Sequence, residues 1–150
     1  MKAEWIDIPS VTDERGSLAF AEAERCVPFP VKRVFWIYDI PEGARRGGHV
    51  HWSCSEVVVA LKGGFTMVLD DAQERISVRV DNPTRGLLVP AGIWCELIDF
   101  DPETLVVVMA SEEYNSEGYT HDYETYKKNS PKEERVPTRD GVRPIGQNKL

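Results

Sequence analysis

Residues 43–64 read GARRGGHVHWSCSEVVVALKGG and hold two of the chain's three histidines, His49 and His51, one residue apart. Glu56 follows five residues after His51, and Arg45 and Arg46 stand just ahead of the pair. Imidazole takes and gives protons near neutral pH and is also a common metal ligand. The pair can therefore move protons, hold a metal together with Glu56, or simply pack as polar members of a strand. Residues i and i+2 of an extended chain share one face, so His49 and His51 point together while Val50 points away. Two same-face histidines behind paired arginines and glycines are poorly explained as packing alone. The polar run Trp52–Ser55 is an irregularity that lets Glu56 rejoin the histidine face.

The elements that must position these groups read as β-strands. VKRVFWIYDI (31–40) is β-branched and aromatic, and HVHWSCSEVVVAL (49–61) resumes after a glycine-rich break. FTMVLD (65–70) and the alternating RISVRV (75–80) flank the polar turn DAQE, and LLVPAGIWCELIDF (87–100) holds two strands around Pro90–Gly92. TLVVVMAS (104–111) is the pattern of a buried strand. Short strands separated by turn signals predict an all-β barrel or sandwich, here a jelly roll. No 3.6-residue apolar period precedes Tyr114. Beyond it, Tyr119, Tyr123 and Tyr126 are spaced as on one face of a short C-terminal helix, with His121 exposed in the same annex. Residues 1–128 are expected to form the folded domain, and the polar, proline-bearing 129–150 a flexible tail.

Composition narrows the classes of partner. With 41% hydrophobic and 29% charged residues, the 150-residue chain suits one soluble domain. No apolar run approaches the roughly 20 residues of a spanning helix, and the N-terminus lacks an apolar signal-peptide segment. Three cysteines, Cys26, Cys54 and Cys95, form no disulfide framework and suit reduced thiols, so a cytoplasmic protein without a membrane partner is expected. The net charge of −7 argues against nucleic acid. Residues 127–150 carry seven basic side chains against three acidic ones, which leaves −11 on the other 126 residues. An anionic ligand therefore needs a local arginine cluster, with Arg15, Arg33, Arg45 and Arg46 as candidates.

Gly43, His49, His51, Glu56 and Gly63 form G-x5-H-x-H-x4-E-x6-G, which resembles the first motif of the cupin superfamily at every defined position. PAGIWC resembles the second motif, with Pro90, Gly92 and then Cys95 where a histidine belongs. The resemblance implies a small cupin-type jelly-roll barrel with its ligand site inside. Metal-binding cupins use two histidines and a glutamate from the first motif plus a histidine from the second. The metal reading here thus needs His49, His51, Glu56 and Cys95 around zinc or iron.

A narrower resemblance rests on D-x-R-G-x-L at Asp13 to Leu18, K-R-V-F at Lys32 to Phe35, R-G-x-H-x-H at Arg46 to His51, and the tyrosine-rich ending. Over about residues 6–128 the chain resembles the nucleotide-sugar 3,4-ketoisomerases, also called the WxcM-like C-terminal domain family. That resemblance implies a homodimer exchanging an N-terminal strand, a dTDP-linked 4-keto-6-deoxyhexose substrate, and no cofactor or metal. The product would feed biosynthesis of 3-amino-3,6-dideoxy sugars for surface glycans such as O-antigen. The implied catalytic residues are His49 and His51. Arg46, Arg33 and Arg15 would hold the diphosphate, while Tyr38, Trp94 and Glu56 contact the substrate. The chain departs from the family at Cys95, where Trp-His is common, and at Glu56, where glutamine is common. A metal-dependent cupin enzyme and a non-catalytic sugar-nucleotide binding module are the competing classes.

Overall fold

The computed structural model describes residues 1–131. In chain order the strands are β1 (Glu4–Asp7), β2 (Ser10–Asp13), β3 (Gly16–Ala19), β4 (Arg33–Ile37), β5 (Arg46–His51) and β6 (Glu56–Lys62). They continue as β7 (Phe65–Asp70), β8 (Arg75–Val80), β9 (Arg85–Val89), β10 (Trp94–Ile98), β11 (Leu105–Ala110) and β12 (Tyr119–Thr120), and helix α1 (Tyr123–Asn129) follows. Two five-stranded antiparallel sheets, ordered β1-β9-β6-β11-β4 and β12-β5-β10-β7-β8, face each other; β2 and β3 form a separate two-stranded sheet. This is the all-β, cupin-like jelly roll expected from the sequence, with one short C-terminal helix. Among the described residues no helix is long and apolar enough to cross a membrane. The expected tail lies, from residue 132 onward, outside the described residues.

Alternation builds the interior. In β8, Val78 and Val80 turn inward, as do Met67 and Leu69 of β7, and they join Val58, Ala60, Leu87, Val106 and Val108 in one buried cluster between the sheets. The apolar run of β6 is continuous because both of its faces are covered. Val57 and Val59 pack outward under Ile8, Val27 and Leu88 while Val58 and Ala60 pack inward. The expected strand 49–61 is broken at Trp52–Ser55, which leaves β5 and β6 in different sheets.

The expected helical face is only partly present. Tyr119 lies on strand β12, paired with His51, because Thr120 and Tyr119 extend the sheet at the β5 edge. The helix begins one turn later. Asp122 is its N-cap, with a side-chain oxygen that accepts from Glu124 N–H, and Ser130 closes the other end by donating to the Tyr126 carbonyl. Tyr126 is fully buried against Val50 and Trp94. Its hydroxyl donates to the Asp70 carbonyl, and the Tyr123 hydroxyl donates to Asp70 Oδ2 at 2.6 Å. These contacts fasten the helix, and with it β12, to the outside of the second sheet.

β5 itself depends on a glycine pair. Its ladder with β10 shifts register between Cys95 and Glu96, where His49 and Gly47 are successive partners and Gly48 is the extra residue. Gly47 and Gly48 both adopt left-handed backbone, with φ of 75° and 70°. A Cβ on Gly47 would stand 2.7 Å from the Cys95 carbonyl oxygen, whereas one on Gly48 meets nothing within 4 Å. Gly48→Ala is expected to cost about 1 kcal/mol of stability through backbone strain alone. Gly47→Ala adds the backbone clash and is expected to cost about 2 kcal/mol or more. Thermal unfolding of the two variants side by side checks this order, and equal losses would contradict it.

Candidate functional site

The pleat of β5 places His49 and His51 on one face, with ring centroids 4.7 Å apart and edge-on. Val50 between them is completely buried on the other face. The histidine face looks into a cavity of about 310 Å³ lined by Arg33, Phe35, His49, His51, Glu56, Tyr114, Tyr119 and His121. The lining is assembled from several elements. Arg33 and Phe35 are alternate residues of β4, Glu56 opens β6, and Tyr119 stands opposite His51 on β12. The Arg33 guanidinium lies over the Phe35 ring at 5.3 Å and the Tyr114 ring at 5.8 Å.

At the floor, Glu56 is 7% exposed. Its Oε1 lies 3.4 Å from Nε2 of His51 and 3.8 Å from an Arg33 terminal nitrogen, with no well-formed hydrogen bond to either. Arg33 Nε is likewise buried without a partner. Burial pushes the Glu56 carboxyl up to about 7 against the pull of Arg33. Burial, helped by the nearby His49, Arg33 and His121, pushes His51 down to about 4. His49 is lowered too, first by burial and then by His121. Around pH 6 the site therefore holds a protonated Glu56 carboxyl beside an uncharged His51 imidazole, a pair able both to donate and to accept protons.

Of the residues expected from sequence, His49, His51, Glu56 and Arg33 are brought together here. Arg46, the exposed first residue of β5, lines an adjoining cavity of about 100 Å³ that His49, Glu56 and Cys95 also share. Three residues lie elsewhere. Trp94 is buried on the opposite face with Val50 and Tyr126, because it is the direct partner of Val50 in the ladder. Tyr38 follows β4 and lies exposed in an outer groove with Trp36 and Leu61. Arg15 sits at the turn of the β2–β3 hairpin, clamped to Asp13 in the same turn. Tyr114, Tyr119 and His121 belong to the site although sequence reasoning passed over them. The available signal was the i, i+2 spacing of Tyr119 and His121, which the helical reading of the tyrosines obscured. His121 is exposed, as expected, yet its ring stands 5.3 Å from that of His49.

The four donors of the metal reading do not converge. Cys95 is buried, its Sγ–H directed at the Ile93 carbonyl at 3.4 Å, and burial next to Glu56 pushes its thiol far above the ordinary range. Among the described residues no group of three or more His, Cys, Asp or Glu side chains has the arrangement of a metal site.

Comparison with known proteins agrees with the geometry. The family model FdtA: WxcM-like, C-terminal, matches residues 1–130. A TDP-4-oxo-6-deoxy-alpha-D-glucose-3,4-oxoisomerase of Aneurinibacillus thermoaerophilus is 34% identical over 128 residues, covering 85% of this chain and 92% of that protein. The crystal structure of a 3,4-ketoisomerase from Helicobacter canadensis superposes with a TM-score of 0.83 at 30% identity, covering 85% of this chain and 96% of that one. A histidine-to-asparagine variant of the 3,4-ketoisomerase QdtA from Thermoanaerobacterium thermosaccharolyticum, in complex with TDP-4-keto-6-deoxyglucose, superposes with a TM-score of 0.83 at 26% identity. It covers 85% of this chain and 93% of that one. With 130 of its residues matched by one family model and a curated relative above 30% identity, the chain belongs to the WxcM-like C-terminal family of FdtA.

Proposed function

We propose that the chain is a sugar-nucleotide 3,4-ketoisomerase that moves the ketone of a TDP-linked 4-keto-6-deoxyhexose from C4 to C3. The observation that carries this reading is the His49–His51 pair, two rings 4.7 Å apart on one cavity face, in a chain related to enzymes of that reaction. The carbon next to a ketone bears an acidic proton. One histidine removes it from C3 to give an enediol, a proton returns at C4, and the other histidine carries a proton from the C3 hydroxyl to the former carbonyl oxygen. Substrate and product have the same composition, so the electrons balance without a redox partner. A base with a lowered pKa is unprotonated at neutral pH and ready to accept the C3 proton.

Arg33 and Arg46 are proposed to receive the diphosphate by charge-assisted hydrogen bonds. In this chain Arg15 stands on a hairpin away from the cavity, so its part in binding requires an arm exchanged with a second copy. That homodimer is supported by the hairpin itself. Val11 and Leu18 are each 61% exposed, and among the described residues β2 and β3 pair only with each other. An isolated two-stranded sheet with an apolar surface is marginal in water without a partner. Free thiols at Cys26, Cys54 and Cys95 suit a cytoplasmic enzyme of deoxysugar synthesis for surface glycans.

Three measurements test this reading. With TDP-4-keto-6-deoxyglucose in deuterium oxide, proton NMR is expected to show conversion with exchange at the reacting carbons. His51→Asn is expected to lower kcat by about 100-fold or more; turnover close to the parent's in that variant would sink the mechanism. Sedimentation equilibrium is expected to give twice the chain mass, and Val11→Ser with Leu18→Ser to shift it toward the monomer.

A further prediction concerns Glu56. Folding raises its pKa from 4.5 to about 7 and lowers that of His51 from 6.5 to about 4. Between pH 4.5 and 6.5 the unfolded pair holds its one proton on His51 and the folded pair holds it on Glu56, so the pair adds almost no pH dependence to stability. Glu56→Gln leaves the lowered histidine alone. Its unfolded state then binds more protons than the folded state, and its stability rises with pH over that range. The stability difference between Glu56→Gln and the parent is expected to grow in the variant's favour from pH 4.5 to 7, by up to roughly 3 kcal/mol. Urea titrations at several pH values measure it, and a pH-independent difference would contradict the proton placement.

A further inference from the structure

His121 is the one histidine that the mechanism above leaves idle, yet the fold places it with care. Its Nδ1 lies 3.2 Å from the carbonyl oxygen of Gly48. A carbonyl only accepts, so Nδ1 carries the hydrogen and, in the neutral ring, Nε2 carries the free lone pair. The Gly48 carbonyl takes that orientation through the left-handed backbone of the Gly47–Gly48 bulge. The ring meets His49 edge-on at 5.3 Å and Tyr119 at 5.1 Å, and Asp122 next in sequence caps the helix that fixes this strand. An exposed side chain held from three sides over a cavity is not a loose surface histidine.

The four titratable groups then form a file from floor to mouth. Buried Glu56 lies 3.4 Å from His51, His51 lies 4.7 Å by ring centroid from His49, and His49 lies 5.3 Å from the exposed His121. Arg33 of β4, Tyr114 and Tyr119 complete the polar lining around the same cavity. His49 and His51 are half-buried, and substrate entering the cavity removes the remaining water from them. A base that has taken a proton from C3 must pass it on, to C4 or to solvent, before the next turnover, and exchange with solvent across low-dielectric surroundings needs a carrier.

We propose that His121 is that carrier: a proton port through which the shielded His49–His51 pair exchanges protons with solvent. The proposal rests on the ketoisomerase reading. The step is a simple transfer. Protonated His49 gives its proton to Nε2 of His121, directly or through one water, that proton leaves Nε2 for bulk water, and a solvent proton returning by the same path supplies the one placed on C4. Nδ1–H stays on the Gly48 carbonyl throughout, no bond to carbon changes in the relay itself, and no electrons move. His121 touches no reacting atom in this scheme and acts through His49.

The test uses the full chain with TDP-4-keto-6-deoxyglucose in deuterium oxide. His121→Asn is the informative variant, because the Asn amide N–H can still donate to the Gly48 carbonyl while offering no titratable nitrogen. It is expected to lower kcat by about 10-fold with KM within about twofold, and to lower the deuterium found on product carbon per turnover. His121→Ala is expected to lose the anchor as well, and free imidazole added to it is expected to restore kcat, which a purely structural role would not allow. Unchanged kcat and deuterium content in His121→Asn overturn the port, as does a loss in His121→Ala that imidazole fails to repair. If the parent itself neither converts nor exchanges the sugar, it is the ketoisomerase reading that falls.

Discussion

The two-residue period of one strand, held from both edges, is the constraint on which the site depends. β5 lies between β10 and β12, and its pleat can present His49 and His51 to the cavity only while Val50 stays seated on the outside. Trp94 and Tyr126 clamp Val50 there, and Asp70 clamps Tyr126 and Tyr123 through two hydroxyl groups. A slip of one residue would exchange the faces, burying Val50 in the cavity and turning both histidines against the helix. The Gly47–Gly48 bulge guards the register from the other end, since the close approach of the Cys95 carbonyl leaves no room for a side chain at Gly47.

Around this strand the protein has arranged low polarity first and charge second. The cavity floor sits on the apolar interior, so Glu56 is taken out of water and becomes a weak acid, and His51 becomes a weak base. Neither shift needs an unusual partner; desolvation is the leading cause in both. Among the described residues that line the cavity, Arg33 then supplies the positive charge, steadied over two aromatic rings and only partly satisfied by Glu56. A chain of net charge −7 thereby retains a cationic spot where an anionic substrate must enter.

The two departures from the family pattern have different meanings in space. Cys95, in the position of a second-motif histidine, is a neutral core thiol bound to a backbone carbonyl and behaves as a small apolar residue. Glu56, where the family resemblance leads one to expect glutamine, is held about half protonated at pH 7 by its burial. A protonated carboxyl offers one donor and one acceptor, as a glutamine amide does on the same side, so the local hydrogen-bonding pattern toward His51 can persist.

Much of this was legible in the residues. Alternating and β-branched runs marked β7, β8 and β11, and turn residues at Pro90–Gly92 separated β9 from β10. The motif spacing from Gly43 to Gly63 singled out His49, His51 and Glu56, because strand geometry has a fixed local period. What local patterns cannot encode is which strands meet. Trp94 and Tyr38 were credible ligand contacts until register seated one behind Val50 and left the other on an outer groove. Tyr119 and His121 lie about 70 residues from β5 in sequence, and only the sheet edge, held by a capped helix and a buried tyrosine, brings them to its histidines. The identity of the reacting pair was thus local and readable, whereas the composition of the cavity around it was decided by long-range pairing and burial.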